Sequence, residues 1–272
     1  MFLVCSCKQK TVQSKIVKTP VVDFPFNLES PDKRFELPDA LHEISGVAVV
    51  NDSIVACIAD EKGTVYFYNL YNDRVDSKLK FSGKGDFEDL TIIDDTIYTL
   101  DSKGVIWSIK NYRHEPQIES HILAIEEPFE LEGLCHRKDS LFIAAKYYHN
   151  KKRDEKGLLP VWNLSPEIQV KEPLFSLPDF VNLPGKSTVP FHTSAILFDE
   201  VNNQWYCMST HTKALIQCDY GGNIISVQGL SEKIFSQPEG ICFTRSGDLL
   251  ISNEGKDGPA SILLFKNKNS KR

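Results

Sequence analysis

Glu130-Leu131-Glu132-Gly133-Leu134-Cys135 decides the fold, because it has four counterparts along the chain. They are Glu43-Ile44-Ser45-Gly46-Val47-Ala48, Asp86-Phe87-Glu88-Asp89-Leu90-Thr91, His192-Thr193-Ser194-Ala195-Ile196-Leu197 and Gln237-Pro238-Glu239-Gly240-Ile241-Cys242. Each places polar side chains two positions apart, just before an apolar run. Counted at Ser45, Glu88, Glu132, Ser194 and Glu239, the spacings are 43, 44, 62 and 45 residues. A period in the forties marks a repeat architecture.

Outward from the motif, every copy follows one plan of short strands separated by polar turns. In the first, Asn51-Asp52-Ser53 turns into Ile54–Ala59, and Asp60-Glu61-Lys62-Gly63 turns into Thr64–Tyr68. The second repeats this with Asp94-Asp95, Thr96–Leu100 and Val105–Trp107, and the fifth with Arg245–Asp248, Leu249–Ser252 and Ile262–Phe265. No helical periodicity of any length is visible. Four short strands per unit are a propeller blade, which needs its neighbours to cover its faces. The expectation is an all-β chain forming a single five-bladed β-propeller, with Arg34–Leu37 closing the ring beside Ile262–Phe265. The long spacing locates an insertion within Tyr147–Pro190. A six-bladed ring, with a degenerate blade around Trp162 and Leu174-Phe175-Ser176, is the alternative. Tyr66, Tyr68 and Trp107, on third strands, suit packing between blades.

The innermost strands of a propeller line its channel, so the motif predicts two polar rings at one mouth. The nearer holds Ser45, Glu88, Glu132, Ser194 and Glu239. Two residues back, on the same side of each strand, the second holds Glu43, Asp86, Glu130, His192 and Gln237. Six of these ten are carboxylates, and crowded like charges require compensation by water, by Lys146 or His192, or by a metal. Calcium suits such hard oxygen donors better than zinc, which favours His and Cys. A water-filled polar channel is the competing reading. Ser45 and Ser194 read as hydroxyls that satisfy their own turns.

The order of Ser-type and Glu-type motifs, Glu43-Ile44-Ser45-Gly46, Glu130-Leu131-Glu132-Gly133, His192-Thr193-Ser194-Ala195 and Gln237-Pro238-Glu239-Gly240, resembles the SdiA-regulated family of bacterial propellers, distant relatives of NHL-repeat proteins. The resemblance runs from about Arg34 to Phe265 and implies five blades, a cell-envelope location and a calcium site. It carries Glu88, Glu132 and Glu239 over as metal ligands, with Glu43, Asp86 and Glu130 as further candidates. Lys146 departs from the pattern: similar proteins tend to have an acidic residue there, and a lysine could neutralise Glu132 instead.

The N-terminus adds a second signal. Met1-Phe2-Leu3-Val4-Cys5-Ser6-Cys7 is apolar, ends in Ser-Cys and precedes a polar stretch to Lys18, as at the end of a bacterial lipoprotein signal. Cys7, after the small Ser6, is the expected lipid acceptor. The missing charged n-region puts the translation start upstream of Met1. Residues 1–30 are then signal remnant and linker, 31–267 the propeller and 268–272 a basic tail. Of the remaining cysteines, Cys135 and Cys242 read as buried small apolar residues. Cys207 and Cys218 flank one turn and could face each other across a hairpin. No CxxC spacing supports zinc.

The 272 residues carry a net charge of -6, with Lys8, Lys10, Lys15 and Lys18 in the tail, so the folded body is more acidic still. Such a body disfavours nucleic acid, whose phosphates need Lys and Arg. No apolar run is long enough to span a bilayer, leaving a lipid anchor as the only membrane contact expected. The sequence favours an envelope-anchored calcium-binding module, monomeric, for a small molecule or an envelope protein. The alternative is a calcium-dependent hydrolase of a lactone or phosphate ester, with Glu132 or Glu239 as base and His192 assisting. Against that, no GxSxG, HExxH or Walker loop is present. His211, His121, His136, His149 and His114 fall in turns or charged loops and read as solvated.

Overall fold

The computed structural model describes residues 24–125, 129–148, 158–164, 168–183 and 188–269. They form five four-stranded antiparallel sheets around one axis, as the repeat implied. Blade one comprises β2 (Ile44–Val49), β3 (Ile54–Ala59), β4 (Lys62–Asn69) and β5 (Arg74–Lys84), numbered from the channel outward. Blade two is β6 (Phe87–Ile93), β7 (Thr96–Asp101), β8 (Val105–Lys110) and β9 (Gln117–Ile122). Blade three is β10 (Phe129–Arg137), β11 (Ser140–Tyr148), β12 (Leu158–Leu164) and β13 (Val170–Pro178). Blade four is β16 (Ala195–Asp199), β17 (Gln204–Ser209), β18 (Ala214–Asp219) and β19 (Ile224–Gly229).

Blade five contains β20 (Pro238–Phe243), β21 (Leu249–Asn253) and β22 (Ser261–Phe265), and its outer strand is β1 (Lys33–Glu36) from the other end of the sequence. Arg34 pairs with Leu263 and Phe35 with Ile262, so the ring closes where the alternating Arg34–Leu37 stretch suggested. The sixth blade is not formed. Trp162 lies in β12 and Leu174–Ser176 in β13, the outer strands of blade three. Part of the inserted length is instead a separate hairpin of β14 (Phe180–Asn182) and β15 (Thr188–Pro190).

The core divides into five apolar clusters, one between each pair of adjacent blades. Trp205, fully buried, packs between Phe142 of blade three and Phe198 of its own blade, with ring centroids 5.0 and 4.5 Å away. Each fully buried Leu, Ile or Phe in such a seam contributes about 1.5–3 kcal/mol. Tyr66 and Tyr68 are buried in one seam and Trp107 packs against the next. Phe24, Phe26 and Leu28 join the seam between blades four and five, Phe26 stacking on Phe243 at 5.9 Å. Phe243 ends β20 on the face opposite the motif, so the chain enters the propeller away from the channel mouth that the motifs line.

The five cysteines within the described residues are buried free thiols. Cys207 and Cys218 do not face each other: Cys207 pairs with Ile216 and Cys218 with Trp205. Cys5 and Cys7 lie outside the described residues.

Candidate metal and ligand site at the channel mouth

The motif encodes a break in the innermost strand. In blade one Ile44 pairs with Ala59 and Gly46 with Ile58, leaving Ser45 as the extra residue of a β-bulge. Glu88 is extra between Phe87 and Asp89, and Glu132 between Leu131 and Gly133. In blade five the register shifts between Pro238 and Ile241, around Glu239. A bulge re-aims its unpaired side chain, here into the mouth. The small residue that follows lets adjacent inner strands meet. A β-carbon on Gly133 would lie 2.9 Å from Ile196 Cγ2 of blade four, and one on Gly240 would lie 2.9 Å from the Val47 nitrogen of blade one. Blade two has Asp89 instead, and its buried carboxylate accepts the Leu134 N–H of blade three at 2.8 Å.

All ten residues of the two rings line one cavity of about 440 Å³ at the mouth. The ring of Ser45, Glu132 and Ser194 is the deeper one, all three being buried, whereas Glu43 and Asp86 of the second ring are exposed. Ser45 Oγ donates to the Phe87 carbonyl at 2.7 Å and Ser194 Oγ to the Met208 carbonyl at 3.3 Å. Both hydroxyls thus serve the backbone, but of a neighbouring blade and an adjacent strand rather than of their own turns.

A third ring also lines the cavity: Asp60, Lys146, Thr210 and Glu254, each at the end of its blade's second strand. The ladder aims these positions at the mouth, because Asp60 N–H donates to Glu43 O at 3.1 Å and Glu254 N–H to Gln237 O at 2.8 Å. Apart from Lys146, the motif-based reading missed this ring. The missed signal was a polar residue 14–16 positions after each inner-ring residue.

Glu88, Glu130 and Glu132 offer carboxylate oxygens within 4.8 Å of one another. Lys146 Nζ bonds Glu130 Oε1 at 3.2 Å and also Glu132 Oε1. Burial alone would lower the Lys146 pKa, but Glu132 and Glu130 outweigh it and hold the ammonium above its ordinary range. Burial pushes the Glu132 carboxyl up and Lys146 pulls it back. Glu88 is pushed up by burial, then by Glu132 and Asp86, and no hydrogen bond among the described residues offsets this. Glu239 is not one of this trio, though its charge acts on Glu132. It accepts the Thr210 hydroxyl at 3.0 Å, and burial raises its carboxyl to about 7. Asp60 is raised to about 6 by burial and by Glu43.

Two histidines behave differently from the solvated reading. His211 is exposed but stacks on His192 at 4.9 Å between centroids and lines the cavity. His136 lies in β10, its Nδ1 2.7 Å from Thr91 Oγ1, and burial lowers its pKa. His114 is exposed, and His149 lies outside the described residues.

No family model and no curated protein matches the sequence. Among solved structures, the chain is similar to the glutaminyl cyclase of Myxococcus xanthus at a TM-score of 0.61 and 15% identity, over 87% of this chain and 95% of that one. A nidogen–laminin complex aligns at 0.50 and 13% identity, over 77% and 72%. A calcium-binding regucalcin from Agrobacterium tumefaciens aligns at 0.48 and 12%, over 89% and 93%. The first two likenesses show the propeller fold and no more.

Proposed function

We propose that the chain is a cation-dependent binding module, with calcium held between Glu88, Glu130 and Glu132 and the rest of the cup open to a ligand. The observation that carries this reading is the trio of carboxylates, one of which, Glu88, has no hydrogen-bond donor among the described residues. A divalent ion between the three carboxyls would favour their charged forms against the burial that pushes Glu88 and Glu132 up. The fit is sound in size as well. Three oxygens within 4.8 Å of one another are close enough to share one calcium, across which opposite oxygens lie about 5 Å apart. Bound calcium would supply charge neutralisation and fix the trio. The resemblance to the SdiA-regulated family supports the same metal.

The apolar-Cys-polar order at Cys7 supports a lipid tether at a bacterial envelope. A hydrolase is the second reading, and Glu239 is what favours it: a carboxyl raised to about 7 inside a cavity is poised as a general base. Glu132, held by Lys146, is not available for that role.

The test is calcium titration of chelator-stripped protein by calorimetry and thermal unfolding. Binding is expected to stabilise the fold by about 2.7 kcal/mol at a hundredfold excess over Kd, and Glu88→Gln should remove the effect. Absence of both heat and stabilisation at millimolar calcium overturns the reading. Calcium-dependent turnover of a lactone or phosphate ester, lost in Glu239→Gln, would establish the hydrolase instead.

A further inference from the structure

We propose that the cup and a pocket beside it form one cleft that receives the amino-terminal end of a peptide, ammonium in the cup, second side chain and its carbonyl in the pocket. The inference rests on the mouth being a binding site but not on calcium.

The side pocket, about 360 Å³, shares His211 with the cup. Two chain segments run from one into the other. Pro190 lines the pocket and His192 the cup; Thr212 and Lys213 line the pocket and Thr210 the cup. Both volumes fall in the range of small-molecule sites. The pocket's apolar wall is Leu183, Val189, Pro190 and Leu230. Two of these belong to the β14–β15 hairpin, an addition to the four-strand plan that no other blade has among the described residues. The Thr212 hydroxyl donates to the Pro190 carbonyl and fastens that hairpin to the turn of blade four.

The chemistry changes in order along this cleft. On the cup side, the Glu239 carboxylate accepts from Thr210, which lies one residue before the shared His211 of blade four. A primary ammonium has three hydrogens for such acceptors. At the junction, the imidazoles of His192 and His211 stack at an interplanar angle of 21° and offer a flat face to a planar amide. Beyond them the wall is apolar, and Lys213 Nζ, half-buried, donates to Ser236 O at 2.7 Å. An ammonium can give two further hydrogen bonds, which suits a carbonyl oxygen.

Ammonium, amide plane, side chain and carbonyl is the sequence of groups at a peptide amino terminus. A polyamine would set a second cation against Lys213. A carboxylic acid entering first would meet Glu239 and Glu254. A bare divalent ion would make no use of the apolar wall.

Calorimetry with Leu-Ala-Ala-amide and Ala-Leu-Ala-amide, each free and N-acetylated, tests this on the whole protein. The free peptides should bind, and acetylation should weaken binding about ten- to a hundredfold, as for loss of a charge-assisted hydrogen bond. Glu239→Gln and Lys213→Met should each weaken the free peptides about tenfold. The free peptides should bind in chelator as well as in calcium, which separates this inference from the metal reading. Equal binding of free and acetylated peptides overturns the inference. So does binding of spermidine but of neither peptide, or no peptide binding up to about 10 mM in protein that still binds calcium.

Discussion

Replacing Lys146 by Met removes the ammonium and keeps a stem of similar length and packing. In the native cup that ammonium bonds Glu130 Oε1 and Glu132 Oε1, and the Glu132 side chain is only 6% exposed. Removing one partner of a buried pair costs about 3–5 kcal/mol. Lys146 itself is 32% exposed, which lowers that figure through solvent screening. Protonation sets a ceiling. Neutralising a carboxylate of ordinary pKa costs about 4 kcal/mol at pH 7.5 and about 1 kcal/mol at pH 5.

We therefore expect Lys146→Met in chelator to lose about 2–4 kcal/mol at pH 7.5 and no more than about 1 kcal/mol at pH 5. Urea unfolding at the two pH values reads the difference directly. Saturating calcium should recover much of the loss at pH 7.5. The double variant with Glu132→Gln should be more stable than Lys146→Met alone. Equal losses at both pH values would mean that the stem, not the charge, matters, and would refute the reasoning. So would an unchanged midpoint at pH 7.5.

The raised carboxyls of Glu239, to about 7, and Asp60, to about 6, make the folded state hold more protons than the unfolded chain above pH 4. Their contribution is complete below the unfolded carboxylate range and is lost as pH rises through about 7. In chelator, urea midpoints should fall between pH 5 and pH 8; a midpoint that climbs over that interval contradicts the assignment. Gly240→Ala would place a β-carbon 2.7 Å from Ser252 Oγ and 2.9 Å from the Val47 nitrogen, where the inner strands of blades five and one meet. It should cost about 1–3 kcal/mol in urea unfolding. Gly83→Ala, with open space around it, serves as the control and should be near neutral.

The fold was legible because each blade repeats the same local instructions. The positive-φ Gly247 and Asp94 sit in turns read as such, and β3 and β22 match their apolar runs to within a residue. Ring closure was legible from the one alternating strand left over, Arg34–Leu37. The site was legible only as positions along a blade. Spacing places Glu132 and Glu239 at equivalent heights but gives no lateral distance, so it could not show that Glu130 rather than Glu239 joins Glu88 and Glu132. Nor could it show that Asp60 and Glu254 reach the same cavity, because their direction is set by inter-strand bonds to the motif carbonyls of Glu43 and Gln237, which residue spacing does not display. His211 read as a solvated turn residue because its stacking partner, His192, is nineteen positions away across a hairpin.

The five motifs are alike in backbone and unlike in charge, and that difference partitions the cup. Blades one and four contribute Ser45 and Ser194, whose hydroxyls are committed to the Phe87 and Met208 carbonyls. Neither offers an anionic ligand, so the inner-ring charge falls on blades two, three and five. Blades two and three are neighbours, and their inner strands pack together, which draws Glu88 and Glu132 into one trio with Glu130. Blade five borders blades four and one instead, which leaves Glu239 with Thr210 and within reach of the pocket that blade four and its hairpin enclose. Having Ser rather than Glu in two of the five motifs thus makes the cup uneven, with Glu88, Glu130 and Glu132 together on one side and Glu239 beside Thr210 on another.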